Sequence, residues 1–306
     1  MTALRALGVV ETPERPGPGP MPEALLRALE LSIGRRVDGL LAGDHRSHLL
    51  GRGSELAQVR PYVPGDDVRL IDWNVTARTR EPHIRVQLAE RVLVTWIVLD
   101  RTPSMEFGTA DRRKADVALG AALALGHAAS SRGNRVGLVS FGGGSEAPLP
   151  PRQGRAGLVG MLLALGDQDA GPGSAPELAP ALDLVAAVAR QRALVVVVSD
   201  FRGPRDWRSR LVDLSARHDV LAVEVRDPRE EQLVDVGELW FADPETGGRL
   251  RVDTRDAGLR SRFAEAAKKE RADVAGDLAA AQASHVVLST SGDWLRLLAA
   301  HLGRRR

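Results

Sequence analysis

The chain contains no cysteine, a single tyrosine and only three lysines (Lys114, Lys268, Lys269) among its 42 basic residues. Without Cys there are no disulfides, thiolate metal sites or Cys nucleophiles, so zinc ribbons and thiol enzymes are excluded while the redox compartment stays open. Long apolar runs are missing too. The longest, residues 92–99 and 193–198, fall far short of the roughly 20 residues that cross a bilayer. Charge of one sign is not in excess: 42 Lys+Arg against 40 Asp+Glu leaves +2. That balance argues against a surface built to coat nucleic acid or anionic membrane. Charges at Arg5, Glu11, Glu14 and Arg15 interrupt any signal-peptide core, so a cytoplasmic protein is expected.

What is present is 306 residues, enough for one large domain or two modest ones. Residues 1–20 end in a Pro/Gly run and read as a flexible lead-in. Leu25, Leu26, Leu29, Leu31 and Ile33 recur at helical spacing, predicting an amphipathic helix that begins at Pro22 and stops before Gly34. Residues 51–90 are dense in charge and broken by Pro61, Pro64, Gly65 and Pro82. They predict an irregular segment, too short and polar to bury its own core, so residues 21–90 are expected to pack on a sheet domain spanning 91–306.

Beyond residue 90 the pattern alternates. Strands are predicted at 92–99, 135–141, 193–199, 220–225 and 285–288. Helices are predicted at 112–131, 154–165, 177–191, 207–217, 259–283 and 292–302, with a hairpin at 238–253. Continuous β-branched runs separated by helices predict an α/β fold with a doubly wound, mostly parallel sheet. Gly142-Gly143-Gly144 reads as a mobile turn, since the Lys-Ser/Thr of a phosphate loop does not follow. The histidines have no ligand spacing, and the Arg304-Arg305-Arg306 tail reads as solvated.

In such sheets ligands sit beyond the carboxyl ends of the strands. Two predicted strands run into acids there, Asp100-Arg101-Thr102-Pro103-Ser104 and Ser199-Asp200. A carboxylate and two hydroxyls at alternate positions can point one way from an extended loop. Asp200, arriving from a second strand, would complete an oxygen-only set suited to Mg²⁺. The plainer reading makes Asp100 and Asp200 helix caps and leaves the hydroxyls to satisfy loop backbone.

The Asp-x-Thr-x-Ser loop, the Gly-Leu-Val-Ser-Phe strand at 137–141 and the strand ending in Asp200 together resemble a von Willebrand factor A domain with its metal-ion-dependent adhesion site. The segment before them narrows the resemblance. Gly51-Arg52-Gly53-Ser54-Glu55, then residues 59–73 (Val-Arg-Pro-Tyr-Val-Pro-Gly-Asp-Asp-Val-Arg-Leu-Ile-Asp-Trp) and Ala77-Arg78, is similar to the signature of the bacterial domain of unknown function 58 family, from about Gly51 to the C-terminus.

That resemblance implies a von Willebrand A-like Rossmannoid domain working beside a MoxR-type AAA+ ATPase in assembly or maturation of client proteins. It carries the metal positions onto Asp100, Thr102, Ser104 and Asp200. The family also supplies a Thr before the helix that starts at Leu178-Ala179-Pro180. Here Pro176 stands in its place and Ser174 is the nearest hydroxyl, so Mg²⁺ affinity is expected to be weak or absent. In the signature, Pro64-Gly65 predicts a tight turn below Tyr62. Asp66 and Asp67 can accept backbone or Arg hydrogen bonds, and with Arg60, Arg69 and Arg78 nearby they are expected to form internal charge pairs that pin the segment against the sheet, direct contact with a partner being the alternative, while Trp73 is expected to bury a large area.

Two function classes follow. The first is a non-enzymatic protein-binding module, in which Mg²⁺ would offer an open position to a partner carboxylate. The second is a metal-dependent hydrolase or phosphatase using Asp100 as nucleophile or Asp66, Asp67 and Asp72 as ligands. Such phosphatases want a second acid two residues after the nucleophile, where Thr102 stands. In the metal reading Asp100 and Asp200 repel unless a divalent cation lies between them.

Overall fold

Val- and Leu-rich runs that are apolar on both faces must be covered on both faces. In the computed structural model such runs form the middle of a six-stranded sheet. Residues 17–42, 55–88, 93–131, 133–143, 148–154, 156–160, 178–242 and 248–304 are described, and the chain divides into two compact units, residues 38–92 and the remainder.

In the larger unit, five strands run parallel: β3 (Val94–Asp100), β4 (Arg135–Phe141), β6 (Leu194–Ser199), β7 (Asp219–Arg226) and β10 (Ser284–Ser289). Their order is β10-β7-β6-β3-β4, closed at the β4 edge by the antiparallel β5 (Leu149–Gln153). The sequence reading has no strand at β5. Pro150 and Pro151 argue against a central strand, and an edge position, where missing ladder donors face outward, is where proline is tolerated.

Helices cover both faces. Trp96, Val98, Val195 and Val197 pack with α4 (Leu178–Val188), α5 (Trp207–Arg217) and the end of α6 (Ala257–Ala280) in one apolar cluster. Alternate positions such as Ile97 and Val196 point to the opposite side. There α3 (Lys114–Ser130) lies against the sheet through its buried Ala121, Ala122, Leu125 and Ala129. The helix α7 (Trp294–Arg304) lies along β10. The first helix, α1 (Glu23–Ala42), does not stop at Gly34 as expected. A glycine inside a helix costs only about 1 kcal/mol, and burial of Leu29 and Ile33 offsets it. The hairpin appears as β8 (Glu238–Ala242) and β9 (Arg249–Asp253). Its turn lies outside the described residues, as do the lead-in before residue 17 and the end of the predicted 154–165 helix, which is helical at 156–160.

The smaller unit is more regular than the sequence suggests. Antiparallel strands β1 (Glu55–Pro61) and β2 (His83–Leu88) flank the signature, and the connection contains the short helix α2 (Trp73–Thr79). The prolines and glycine that read as breakers lie mostly in that connection or at strand ends. No helix among the described residues is long and apolar enough to cross a membrane.

Candidate functional site at the strand ends

Consecutive strands progress outward from β3 on one side through β4, and on the other through β6 and β7. The change of direction falls between β3 and β6, where an α/β sheet opens a crevice beyond the carboxyl ends of its strands. Asp100 ends β3, and Asp200 directly follows β6.

The alternate-position argument holds for the first loop. The Thr102 hydroxyl donates to Asp100 Oδ1 at 2.7 Å and lies 2.9 Å from Ser104 Oγ. Ser104 Oγ in turn donates to Asp200 Oδ2 at 3.1 Å, and Ser199 Oγ donates to Asp100 Oδ2 at 2.5 Å. Four of the expected side chains, Asp100, Thr102, Ser104 and Asp200, therefore meet. Ser174 and Pro176 lie outside the described residues.

Two further residues finish the cluster. Lys114, the first residue of α3, directs its ammonium to Asp200 Oδ2 at 2.6 Å and to Glu230 Oε1 at 2.7 Å, and its side chain is 1 % exposed. Glu230 is held by the backbone N–H of Asp227, which donates to Oε2 at 3.1 Å. The hydrogen-bonded chain thus runs from Ser199 through Asp100, Thr102, Ser104 and Asp200 to Lys114 and Glu230. Sequence reasoning missed both of these residues. The available signal was compositional: Lys114 is one of three lysines in a chain that otherwise uses Arg.

Backbone geometry holds the loops in place. Gly142, at φ 77°, follows β4, and a Cβ there would fall 2.6 Å from Thr102 N, so only glycine lets the β4 end pass the metal-type loop. This is a positioning role for what the sequence presents as a mobile turn. Phe201 takes φ 54° immediately after Asp200. Its N–H donates to Ser199 Oγ at 2.9 Å and its ring meets Trp207 edge-on. Tertiary contacts thereby hold a backbone conformation unfavourable for a bulky residue.

The two acids are electrostatically unequal. Burial, and secondarily the Asp200 charge, pushes the Asp100 carboxyl up to about 7 against the hydrogen bonds from Ser199 and Thr102. Burial would raise Asp200 as well, but the Lys114 ammonium outweighs it and holds Asp200 below the usual carboxylate range. Lys114 is raised, because its two carboxylates outweigh the desolvation that would lower it. An acid whose folded value lies above its unfolded value stabilises most below the unfolded value, and that contribution is lost as pH rises through the folded value. Asp100 should therefore cost stability progressively from about pH 4 to about pH 7. Denaturation of wild type and Asp100→Asn between pH 5 and 8.5 checks this, with the wild type expected to lose ground to the variant as pH rises.

The acids also open in different directions. Asp100, Thr102 and Ser104 line a cleft with Phe141, Leu178 and Trp207. Asp200 and Glu230 line a separate one with Arg202, Arg226 and Arg271. The oxygen chemistry suits Mg²⁺, but Asp200 Oδ2 already serves Ser104 and an ammonium, and its Oδ1 accepts the Arg202 N–H at 3.0 Å. As they stand, these residues do not fit a second cation.

In the smaller unit, the Pro64-Gly65 turn forms, with Gly65 at φ 109°. Arg60 grips Asp66 through two hydrogen bonds of 2.9 and 2.8 Å, and Arg69 pairs with Asp67. Asp72 caps α2, accepting from Asn74 N and Val75 N. Arg78 turns back on its own helix to Asn74 O, and the Tyr62 N–H bonds Pro82 O. Two charge pairs form as expected, Arg60 with Asp66 and Arg69 with Asp67, whereas Arg78 bonds a carbonyl instead of an acid and Trp73 is not buried. It is 71 % exposed, and Val63, Val68 and Leu70 of the same segment are exposed too. The reason is its place at the first position of α2, directly after the Asp72 cap, in a segment closed by ion pairs rather than by an apolar core.

Residues 58–273 match the family described as "Protein of unknown function DUF58". Uncharacterised proteins of Mycobacterium tuberculosis and Mycobacterium bovis are each 42 % identical over 284 residues, covering 92 % of this chain and 89 % of the relative. An uncharacterised Mycobacterium avium protein is 38 % identical over 159 residues, covering 52 % of this chain and 94 % of that one. Among solved structures, a conserved hypothetical protein BatB from Bacteroides thetaiotaomicron aligns at 14 % identity and TM-score 0.42, covering 69 % of this chain and 98 % of that one. An aerotolerance-related membrane protein from Bacteroides fragilis aligns with the same identity and TM-score, covering 97 % of that chain.

Proposed function

The chain belongs to the DUF58 family, a membership that assigns no reaction, and on that premise we propose that it is a non-enzymatic protein-binding module. In this reading it is a von Willebrand A-like cytoplasmic adaptor that engages a MoxR-type AAA+ ATPase and presents a client protein for assembly or maturation. The observation that carries the reading is the exposed apolar group on the signature segment. Trp73, Val63, Val68 and Leu70 are exposed, while the charged residues around them are spent on one another, Arg60 with Asp66 and Arg69 with Asp67. A large aromatic held in water on an ion-paired frame loses little freedom on docking, and Trp is the residue type most enriched among binding hot spots.

Binding of the purified chain to a purified MoxR-type AAA+ ATPase tests the proposal. Trp73→Ala should weaken the complex about 30-fold, as for a typical hot spot, with an unchanged melting temperature. Failure of the wild type to bind the ATPase, or equal binding by the variant, would overturn it.

A further inference from the structure

We infer that the Lys114 ammonium is the resident cation of the strand-end site and that it keeps Mg²⁺ out of the wild-type chain. The first residue of a helix is an unfavourable place for a positive charge, because the helix N-terminus is itself partially positive. A buried ammonium is more costly still unless paired. Lys114 has both handicaps and is 1 % exposed, so its position is explained by the acids it meets, Asp200 at 2.6 Å and Glu230 at 2.7 Å.

A Mg²⁺ ion on Asp200 Oδ2 would sit roughly 2.1 Å from that oxygen, and hence within about 5 Å of the ammonium, where like charges in a buried site repel strongly. Lys114 cannot yield the place cheaply, since Glu230 holds it from the other side. The oxygen atoms are also subscribed: Asp200 accepts from Ser104, Lys114 and Arg202 N, and Asp100 from Ser199 and twice from Thr102. The cation that the loop pattern calls for is thus supplied covalently from α3, whatever the surface as a whole binds.

Removing the lysine should create the metal site. Thermal melts and isothermal titration compare wild type with Lys114→Met, in EDTA and in 10 mM MgCl₂. The wild type should shift by less than about 1 °C and show no binding heat. Lys114→Met, left with Asp200 and Glu230 where the ammonium stood and the Ser104 hydroxyl on Asp200, should gain about 3 °C or more, the size of shift expected for a ligand near ten times its dissociation constant. Lys114→Arg keeps the charge and should stay silent. If Lys114→Met does not fold in either buffer, the double variant Lys114→Met/Glu230→Gln, which removes one charge of each sign, takes its place and should gain the same response. A stoichiometric Mg²⁺ response in the wild type, or silence in the folded lysine-free variant, would overturn the inference.

Discussion

Lys114→Met is expected to lower the free energy of unfolding by about 3–5 kcal/mol, the loss typical when one member of a buried ion pair is removed and its partner is stranded. Two carboxylates are left behind here, Asp200 at 3 % and Glu230 at 10 % side-chain exposure. The same pairing reverses the sign expected for Asp200→Asn. Were the two strand-end acids facing each other with nothing between them, that substitution would relieve repulsion. With Lys114 in place, it removes the ammonium's shorter contact and should destabilise. Urea denaturation in EDTA at pH 7.5 measures both variants. A loss under about 1 kcal/mol for Lys114→Met would mean that the pair does no better than an apolar side chain, as buried pairs sometimes do.

Asp227→Ala is expected to cost a further large amount, about 3–4 kcal/mol, since hydrogen bonds to charged groups contribute more than neutral ones and their loss strands buried donors. Asp227 is fully buried. It accepts from the Thr109 backbone and hydroxyl at 2.8 and 2.6 Å, from Thr290 Oγ1 at 2.7 Å and from Arg229 N at 2.9 Å. One carboxylate thus ties the end of β7 to the loop before α3 and to the residue after β10. Burial would raise its carboxyl, but these donors outweigh burial and hold it below the ordinary value. A depressed acid contributes stability above its unfolded value, near pH 4, and loses it as pH falls through the folded value. The wild type should therefore lose stability on acidification more steeply than Asp227→Ala, and equal acid slopes would show that the network is energetically idle.

The parallel sheet was legible because its strands are Val- and Leu-rich on both faces, a pattern that local chemistry alone imposes, and β4 and α5 appear at the predicted bounds. Pairing of Thr102 and Ser104 with the strand-end acids was legible for a similar reason, since alternate loop positions share a side. Edge strand β5 and strands β1 and β2 were not, because proline and charge speak against a strand unless its ladder position is known. Exposure of Trp73 was equally hidden. Aromaticity gives a preference for burial, but whether an apolar surface is available to receive the ring is settled by the rest of the fold.

By itself, then, the sequence determined the α/β class, the placing of acids and hydroxyls at strand ends, and the family. Only the tertiary structure decided what those acids do. Lys114 is 86 residues from Asp200 and 116 from Glu230 along the chain, and no periodicity or motif links positions so distant. Their meeting depends on α3 packing across the sheet so that its first residue reaches the acids that follow β6 and β7, and that meeting places an ammonium where the loop pattern alone suggests a metal ion.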